Sequence, residues 1–283
     1  MLGLHFYGQL GNQMFQYAAA RVQAERLGVG LLVEPRQSGE HELFALFPHL
    51  RGPVQMAAQR LKALSNSGFE NLRRRAFAHN FAARAEPDDN EPFDQRIGAI
   101  GDWTWLSGYF QSPRYFQEHA NAVRAWFAPP PDLAARVDAL LAGLPAPAAQ
   151  MAAVHIRLGD YLAMRGAHGD PDAGWALDDA YYARALAQFA ADAPIALFSD
   201  DPENAARMLP RPPAWVSQAR SAGEDLFAMA AFPNLVMANS SFSWWAGWLS
   251  HNPARIVGPR YHIGWRKQRW FPADIAVDGW LYV

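Results

Sequence analysis

Apolar residues along this chain are spaced in two alternating ways. Short apolar runs of four or five residues, the length of a buried strand, are followed by longer runs in which apolar positions return every three or four residues, the helical period. Near the start, LHFY predicts a strand and a glycine-containing turn follows. The run from Asn12 to Leu27 then predicts a helix, which Gly28 closes where a left-handed residue commonly ends one. LLVE, from Leu31 to Glu34, predicts the next strand and completes a β-α-β opening.

The same rhythm resumes after residue 150. AAVHI (Ala152 to Ile156), IALFS (Ile195 to Ser199), LVMAN (Leu235 to Asn239) and ARIVG (Ala254 to Gly258) predict strands. Asp178 to Ala190, Pro202 to Leu209, Glu224 to Phe232 and the segment NSSFSWWAGWL predict helices between them. Such alternation implies a parallel sheet with helices on both faces, whose ligands bind beyond the carboxyl ends of the strands. From Gly39 to Glu91 the chain is rich in arginine and alanine and poor in β-branched residues, which predicts short helices and loops. Between Ala128 and Gln150, prolines bracket a single helical run. The expected division is therefore an N-terminal domain over 1–130, a linker over 131–150 and a C-terminal domain over 151–283.

Composition narrows the classes. About half of the 283 residues are hydrophobic, enough for one large or two modest α/β domains. A net charge of −2 gives no electrostatic case for a nucleic-acid partner. The absence of cysteine excludes disulfides and thiolate metal sites and suits a reducing compartment. MLGLHFYGQLGNQ lacks the basic start and apolar run of a secretory signal, and no window nears the ~20 apolar residues that span a bilayer. A cytoplasmic location is expected, with peripheral attachment at the inner face of the cytoplasmic membrane as its variant. Eleven tryptophans can stack on sugar rings or fill cores, and the core is the default for any one of them.

Four polar stretches fall where strands end: GQLGNQ (Gly8 to Gln13), HIRLGDY (His155 to Tyr161), FSDDPEN (Phe198 to Asn204) and ANSSFS (Ala238 to Ser243). Alternation sends His155 and Arg157 to one face of a strand and Ile156 to the other. An arginine there can fork onto a phosphate, or it can pair with Asp160 and only shape the turn. In ANSSFSWW, Ser240 or Ser241 can cap a helix on which Trp244 and Trp248 lie one turn apart. No acidic residue occurs from Asn239 through Gly258, so the positive end of that helix lacks a counter-charge along the sequence and suits an external anion. The helix beginning at Asn12 shows the same absence, with no acid before Glu25. Two such helix starts beside a strand-end arginine favour phosphate binding. Asp200 or Asp201 can accept hydrogen bonds from a nucleobase such as guanine, or can cap the helix at Pro202. Asp170-Pro-Asp172 matches the D-x-D pattern of metal-dependent sugar transferases, but no apolar strand precedes it to fix the carboxylates, and no metal role is expected.

Together GQLGNQMFQYA, LSGYFQSPRYF (Leu106 to Phe116), HIRLGDY, FSDDPENA and ANSSFSWWAGWL occur in the order and spacing of glycosyltransferase family eleven, which the chain resembles from Gly8 to about Pro259. The best-known members are α-1,2-fucosyltransferases. The resemblance implies a GT-B-like α/β fold, two Rossmann-like domains facing across a cleft, with GDP held mainly by the C-terminal one. It implies an inverting enzyme that moves L-fucose from GDP-β-L-fucose, without metal or other cofactor, to a galactose hydroxyl in α-1,2 linkage. The acceptor it implies is a galactose-terminated glycan, an oligosaccharide or a lipid-linked polysaccharide repeat, in a soluble or peripherally bound bacterial enzyme.

Carried over by motif, Arg157 would contact the β-phosphate, and His155 and Asp160 would shape that loop or reach donor and acceptor. Asn239, Ser240, Ser241, Phe242 and Ser243 would bind the diphosphate, Asp200 or Asp201 would face guanine or ribose, and Gly11, Asn12 and Gln13 would border the fucose. Candidates for the general base are His155, Asp160 and His168. Two positions depart from the family pattern: Leu158 stands where a second arginine is usual, and Gln9 where a glycine is common. The competing readings are a transferase with another linkage or nucleotide sugar, and a catalytically inert glycan- or nucleotide-binding module.

Overall fold

The structure, a computed structural model, describes residues 1–36, 40–52, 73, 75–77, 79–82, 92–164 and 174–283. It divides into two compact α/β units, one of residues 1–128 with 273–275 and one of residues 129–272 with 276–283.

In the first unit β1 (Leu2–Leu4), β2 (Leu31–Val33), β3 (His79–Ala82) and β4 (Thr104–Ser107) form a parallel sheet in the order β2-β1-β4-β3. The crossover from β1 to β2 is the helix Leu10–Leu27, which starts two residues before the predicted Asn12. It ends as expected at Gly28, whose φ of 65° is the left-handed conformation a glycine adopts without a Cβ penalty. The first strand lies earlier than predicted and shares only Leu4 with LHFY, while the second lacks only the final Glu34 of LLVE. β1 stops at Leu4 and β2 at Val33, so His5, Phe6, Tyr7 and Glu34 lie beyond the sheet's carboxyl edge. β3 corrects the expectation of helices and loops alone between residues 39 and 91. HNFA has little strand character of its own, and four-residue parallel pairing with β4 overrides local preference.

The proline-bracketed run is the helix Pro131–Leu141, which buries Leu133 and Val137 and belongs with the second unit. Arg136 on it donates from Nε to Glu224 at 2.9 Å.

The second unit holds β5 (Ala152–Ile156), β6 (Ile195–Ser199), β7 (Trp215–Val216), β8 (Asn234–Val236), β9 (Arg255–Gly258) and β10 (Leu281–Tyr282), all parallel, in the order β10-β9-β8-β5-β6-β7. The chain runs outward from β5 through β6 to β7, then returns to the other side of β5 and continues outward from β8. Connections therefore leave β5 and β8 in opposite directions, which opens a crevice at their carboxyl ends, the ligand position of a doubly wound sheet. Among the described residues no helix is long and apolar enough to cross a membrane.

Candidate functional site

Loops from β5, β6 and β8 meet at the crevice of the second sheet. Along β5, Val154 and Ile156, followed by Leu158, enter a core with Tyr181 and Tyr182. His155 takes the opposite face, its ring 5.7 Å from that of Phe242. Arg157 is the first residue past the strand. Its Nε donates to Asp160 Oδ1 at 3.0 Å and its Nη2 lies 2.8 Å from the same oxygen, while Nη1 lies 3.1 Å from Asp200 Oδ2. The pairing with Asp160 that was one of the two readings of Arg157 is thus present, and a second carboxylate from the next strand reinforces it. Asp200 also accepts the Leu158 N–H at 2.9 Å, tying the two loops together. At Gly159 a Cβ would stand 2.4 Å from Asp200 Oδ2, so any larger residue would push that carboxylate aside. Leu158, in place of a second arginine, is a core residue.

The two adjacent aspartates part company. Asp201 caps the helix Pro202–Arg207, accepting from the Asn204 N–H at 3.2 Å and from Asn204 Nδ2 at 2.7 Å, and these hydrogen bonds lower its pKa. Asp200 stays at the arginine.

Beyond β8, Ser240 caps the helix Ser241–Leu249 by accepting from the Phe242 N–H at 3.2 Å. That helix carries no acidic residue in its first turn, as expected. Ser243 is fully buried and its hydroxyl donates within the turn, to the carbonyls of Ala238 and Ser240 at 3.3 Å each. Asn239 donates from Nδ2 to the Trp175 carbonyl at 2.9 Å, while its Oδ1 is buried with no hydrogen-bond partner among the described residues. His155 Nδ1 is in the same condition. Two unsatisfied buried polar atoms beside one helix start are costly unless something else bonds to them.

Two residues without a role in the sequence reading hold this corner together. The Tyr161 hydroxyl donates to the Asn239 carbonyl at 3.3 Å, and burial raises its pKa to about 12, which keeps it a neutral donor. Trp175 meets Tyr161 edge-on at 5.7 Å, donates its backbone N–H to the Tyr161 carbonyl at 2.8 Å, and accepts at its own carbonyl from the Trp265 indole at 3.2 Å. Tyr161 closes the HIRLGDY motif one turn after Arg157, a signal that could have found it. Nothing in the sequence around Trp175 points to Asn239.

Behind the helix start, Trp244, Trp245 and Trp248 are buried. Trp244 stacks on Trp248 at 5.2 Å and meets Trp245 edge-on at 5.1 Å, so these rings fill a core and anchor the turn.

His155 is held neutral, because burial first and the Arg157 charge second lower its pKa to about 3; burial does the same to His262. The folded protein resists a proton that the unfolded chain accepts near pH 6.5. Stability from these histidines is complete above pH 6.5 and is lost as pH falls from there toward 3, at about 1.4 kcal/mol per pH unit for each. Urea denaturation should therefore show falling stability from pH 7 to pH 5, and His155→Gln should make that fall shallower. An unchanged pH slope in this variant would contradict the burial of a neutral ring.

In the first unit, Gly11, Asn12 and Gln13 form the first turn of the helix Leu10–Leu27. Gln13 is buried, donates to the Gly8 carbonyl at 3.0 Å and accepts from the Leu43 N–H at 3.0 Å. Asn12 accepts from Gln111 at 2.7 Å. One expectation is corrected here. The helix has no acid in its own first turn, but Glu42 accepts its Leu10 N–H at 2.6 Å, so the counter-charge missing along the sequence is supplied through space. The case for phosphate binding then rests on one acid-free helix start, not two. Asp170, Asp172 and His168 lie outside the described residues.

The model of the family described as glycosyl transferase family 11 matches residues 1–260. An α-1,2-colitosyltransferase of Escherichia coli is 25% identical over 266 residues, covering 86% of each chain. Among solved structures, the fucosyltransferase NodZ from Bradyrhizobium superposes with a TM-score of 0.51 at 14% identity, over 90% of this chain and 94% of that one. A crystal of NodZ α-1,6-fucosyltransferase soaked with GDP-fucose gives the same TM-score and identity over 91% and 94%. The shared fold is the GT-B-like α/β class with parallel sheets.

Proposed function

The chain belongs to glycosyl transferase family 11, and on that premise we propose that this glycosyltransferase moves L-fucose from GDP-β-L-fucose to a galactose hydroxyl, most simply in α-1,2 linkage with inversion. The observation that carries the reading is Arg157 at the switch point of the second sheet, beside the acid-free start of the helix Ser241–Leu249. Nucleophilic displacement at the fucosyl anomeric carbon sends an electron pair out with GDP, and negative charge grows on the β-phosphate. A guanidinium aimed by Asp200, with the N–H groups and hydroxyls of Ser240 to Phe242, meets that charge once the diphosphate has taken the place of Asp160. Asp160 is the more exposed of the two carboxylates and follows on the same loop, so it is the partner a phosphate displaces, while Asp200 keeps the arginine aimed. No step of this scheme needs a metal or a further cofactor. The acceptor is a galactose-terminated glycan or lipid-linked repeat, met in the cytoplasm or at the inner membrane face.

The relative in Escherichia coli supports a second donor, because colitose is L-fucose without its 3-hydroxyl. GDP-fucose and its 3-deoxy counterpart, each offered with a set of β-galactosides, separate the two by initial rate of GDP release. Turnover of UDP- or CMP-sugars with none of either GDP-sugar would overturn the proposal. Tight GDP binding with no release across all acceptors would instead favour an inert binding module.

A further inference from the structure

We propose that a cavity at the carboxyl ends of β9 and β10, apart from the crevice that holds Arg157, binds a small phosphate ester carried on a ring, a phosphorylated sugar. The cavity lies wholly within the second unit and does not rest on the transferase reading above.

Its volume is about 320 Å³, near the lower limit of the roughly 300–1,000 Å³ common for ligand pockets, which suits one ring with its phosphate better than a nucleotide. Pro259 and Val283 bound it where β9 and β10 end, and the buried side chains of Leu177 and Tyr181 give it an apolar side. The Tyr181 hydroxyl donates to the Met237 carbonyl at 2.6 Å, so that side is fixed. Tyr261 and Trp265 add half-buried aromatic rings and Gln268 an exposed amide. The Trp265 ring is held by its indole N–H, which donates to the Trp175 carbonyl. None of the residues that meet at Arg157, between β5 and β8, lines this cavity.

Two guanidinium groups reach the cavity from different elements, Arg184 from the helix Asp179–Leu186 and Arg260 from the turn after β9. Several helical arginines of this chain find an acid one turn away, as Arg21 does in Glu25, Arg136 in Asp132 and Arg207 in Glu203. Arg184 has Ala180 and Gln188 at those positions, and no acidic residue occurs between Asp225 and Asp274 to serve Arg260. Neither arginine is paired with a carboxylate among the described residues, and no Asp or Glu lines the cavity. The neighbour of Arg260 is the Tyr261 ring, 5.3 Å away. Two cations on one cavity call for an anion with more than one face to offer. A phosphate monoester has three free oxygens and can accept from two forks, whereas one fork satisfies a carboxylate.

The turn that carries Arg260 is held in a rare conformation. Tyr261, His262 and Gln268 have φ of 69°, 52° and 51°, all left-handed and none glycine. The Tyr261 carbonyl accepts from the Gly264 N–H at 2.9 Å and the Phe271 N–H at 3.3 Å, and a Cβ at Gly264 would stand 1.9 Å from the Arg269 carbonyl oxygen. Such strain persists where the surroundings over-determine it, and it clusters at ligand clamps. Tyr261 and Gln268, two of the three strained residues, line the cavity.

The test uses the full chain, with galactose 1-phosphate, inorganic phosphate and galactose as probes in calorimetry and saturation-transfer NMR. Each titration is run on wild type and on Arg157→Ala, which takes the phosphate position of the other crevice out of the reading. Galactose 1-phosphate should bind both proteins, with saturation transfer to its ring protons, and more tightly than inorganic phosphate or galactose alone. Adding Arg184→Ala and Arg260→Ala together should weaken it at least about tenfold at an unchanged thermal midpoint, because both arginines are exposed and neither is tied to an acid. Equal binding without the two arginines, or no binding in Arg157→Ala, would overturn the site. Inorganic phosphate binding as tightly as the sugar phosphate would overturn the ring contacts and with them the ligand class. Capture by phosphatidylglycerol vesicles that the paired variant loses, with no binding of galactose 1-phosphate, would assign the arginines to a membrane surface instead. Because no step depends on turnover, these results stand whether or not the chain transfers fucose.

Discussion

Arg157→Ala is expected to lower donor turnover about 100- to 1,000-fold, a larger loss than its effect on GDP affinity. The ground-state diphosphate already carries charge that several groups can share, but the charge that grows during departure of GDP falls on the β-phosphate. An arginine aimed there is worth more in the transition state than in the bound substrate, so kcat should fall further than KM rises. The side effect on folding can be separated. Without the guanidinium, Asp160 and Asp200 lose their shared cation, although Asp200 still accepts the Leu158 N–H. Arg157→Lys keeps a charge but cannot fork to both carboxylates, and should recover part of the stability and little of the rate. Stopped assays of GDP release, beside GDP titrations of the same preparations, give both quantities. A near-normal kcat in a folded Arg157→Ala protein would remove Arg157 from the mechanism and with it the site proposed on the second sheet.

The parts of the fold legible in the sequence were those that local burial decides. β5 and β6 lie where continuous apolar runs predicted them, because parallel strands covered on both faces read as unbroken apolar segments. β3, β4 and β10 have two to four residues each and owe their state to pairing partners far along the chain. The polar strand ends were legible as candidate sites because a doubly wound sheet gathers such loops. Their partners were not. Glu42 reaches the Leu10 N–H from 32 residues away and Tyr161 reaches the Asn239 carbonyl across 78. The hydrogen bond between His5 and Glu34 was hidden for a different reason. LHFY and LLVE read as strands to their last residues, which commits those side chains to alternating faces. Because β1 and β2 end at Leu4 and Val33, His5 and Glu34 are released to the edge, where they meet. Strand ends are the least certain feature of a sequence pattern and, in this architecture, the place where chemistry is done.

Trp244→Ala should cost about 3–5 kcal/mol of stability and leave the chemistry of the folded fraction nearly intact. Trp244 is 1% exposed and lies among three other indoles, stacked on Trp248, edge-on to Trp245 and 5.6 Å from Trp280. Truncation opens a cavity that rigid neighbours cannot close, and Gly247 on the same helix shows how little slack exists, since a Cβ there would already stand 3.0 Å from the Trp280 ring. The wild-type residue therefore acts through the helix: it fixes the axis of Ser241–Leu249 and so the direction of the N–H groups that Ser240 caps. Urea midpoints should drop strongly, whereas GDP affinity measured at low temperature on folded protein should change by a few-fold at most. Trp244→Phe, which keeps an aromatic ring in the stack, should recover part of the lost stability. If Trp244→Ala instead folds with a normal midpoint and loses GDP binding, the indole belongs to the ligand and not to the core. Buried tryptophan directly behind a polar turn is then explained by rigidity, because hydroxyls and N–H groups stabilise a developing charge only if they are held where that charge appears.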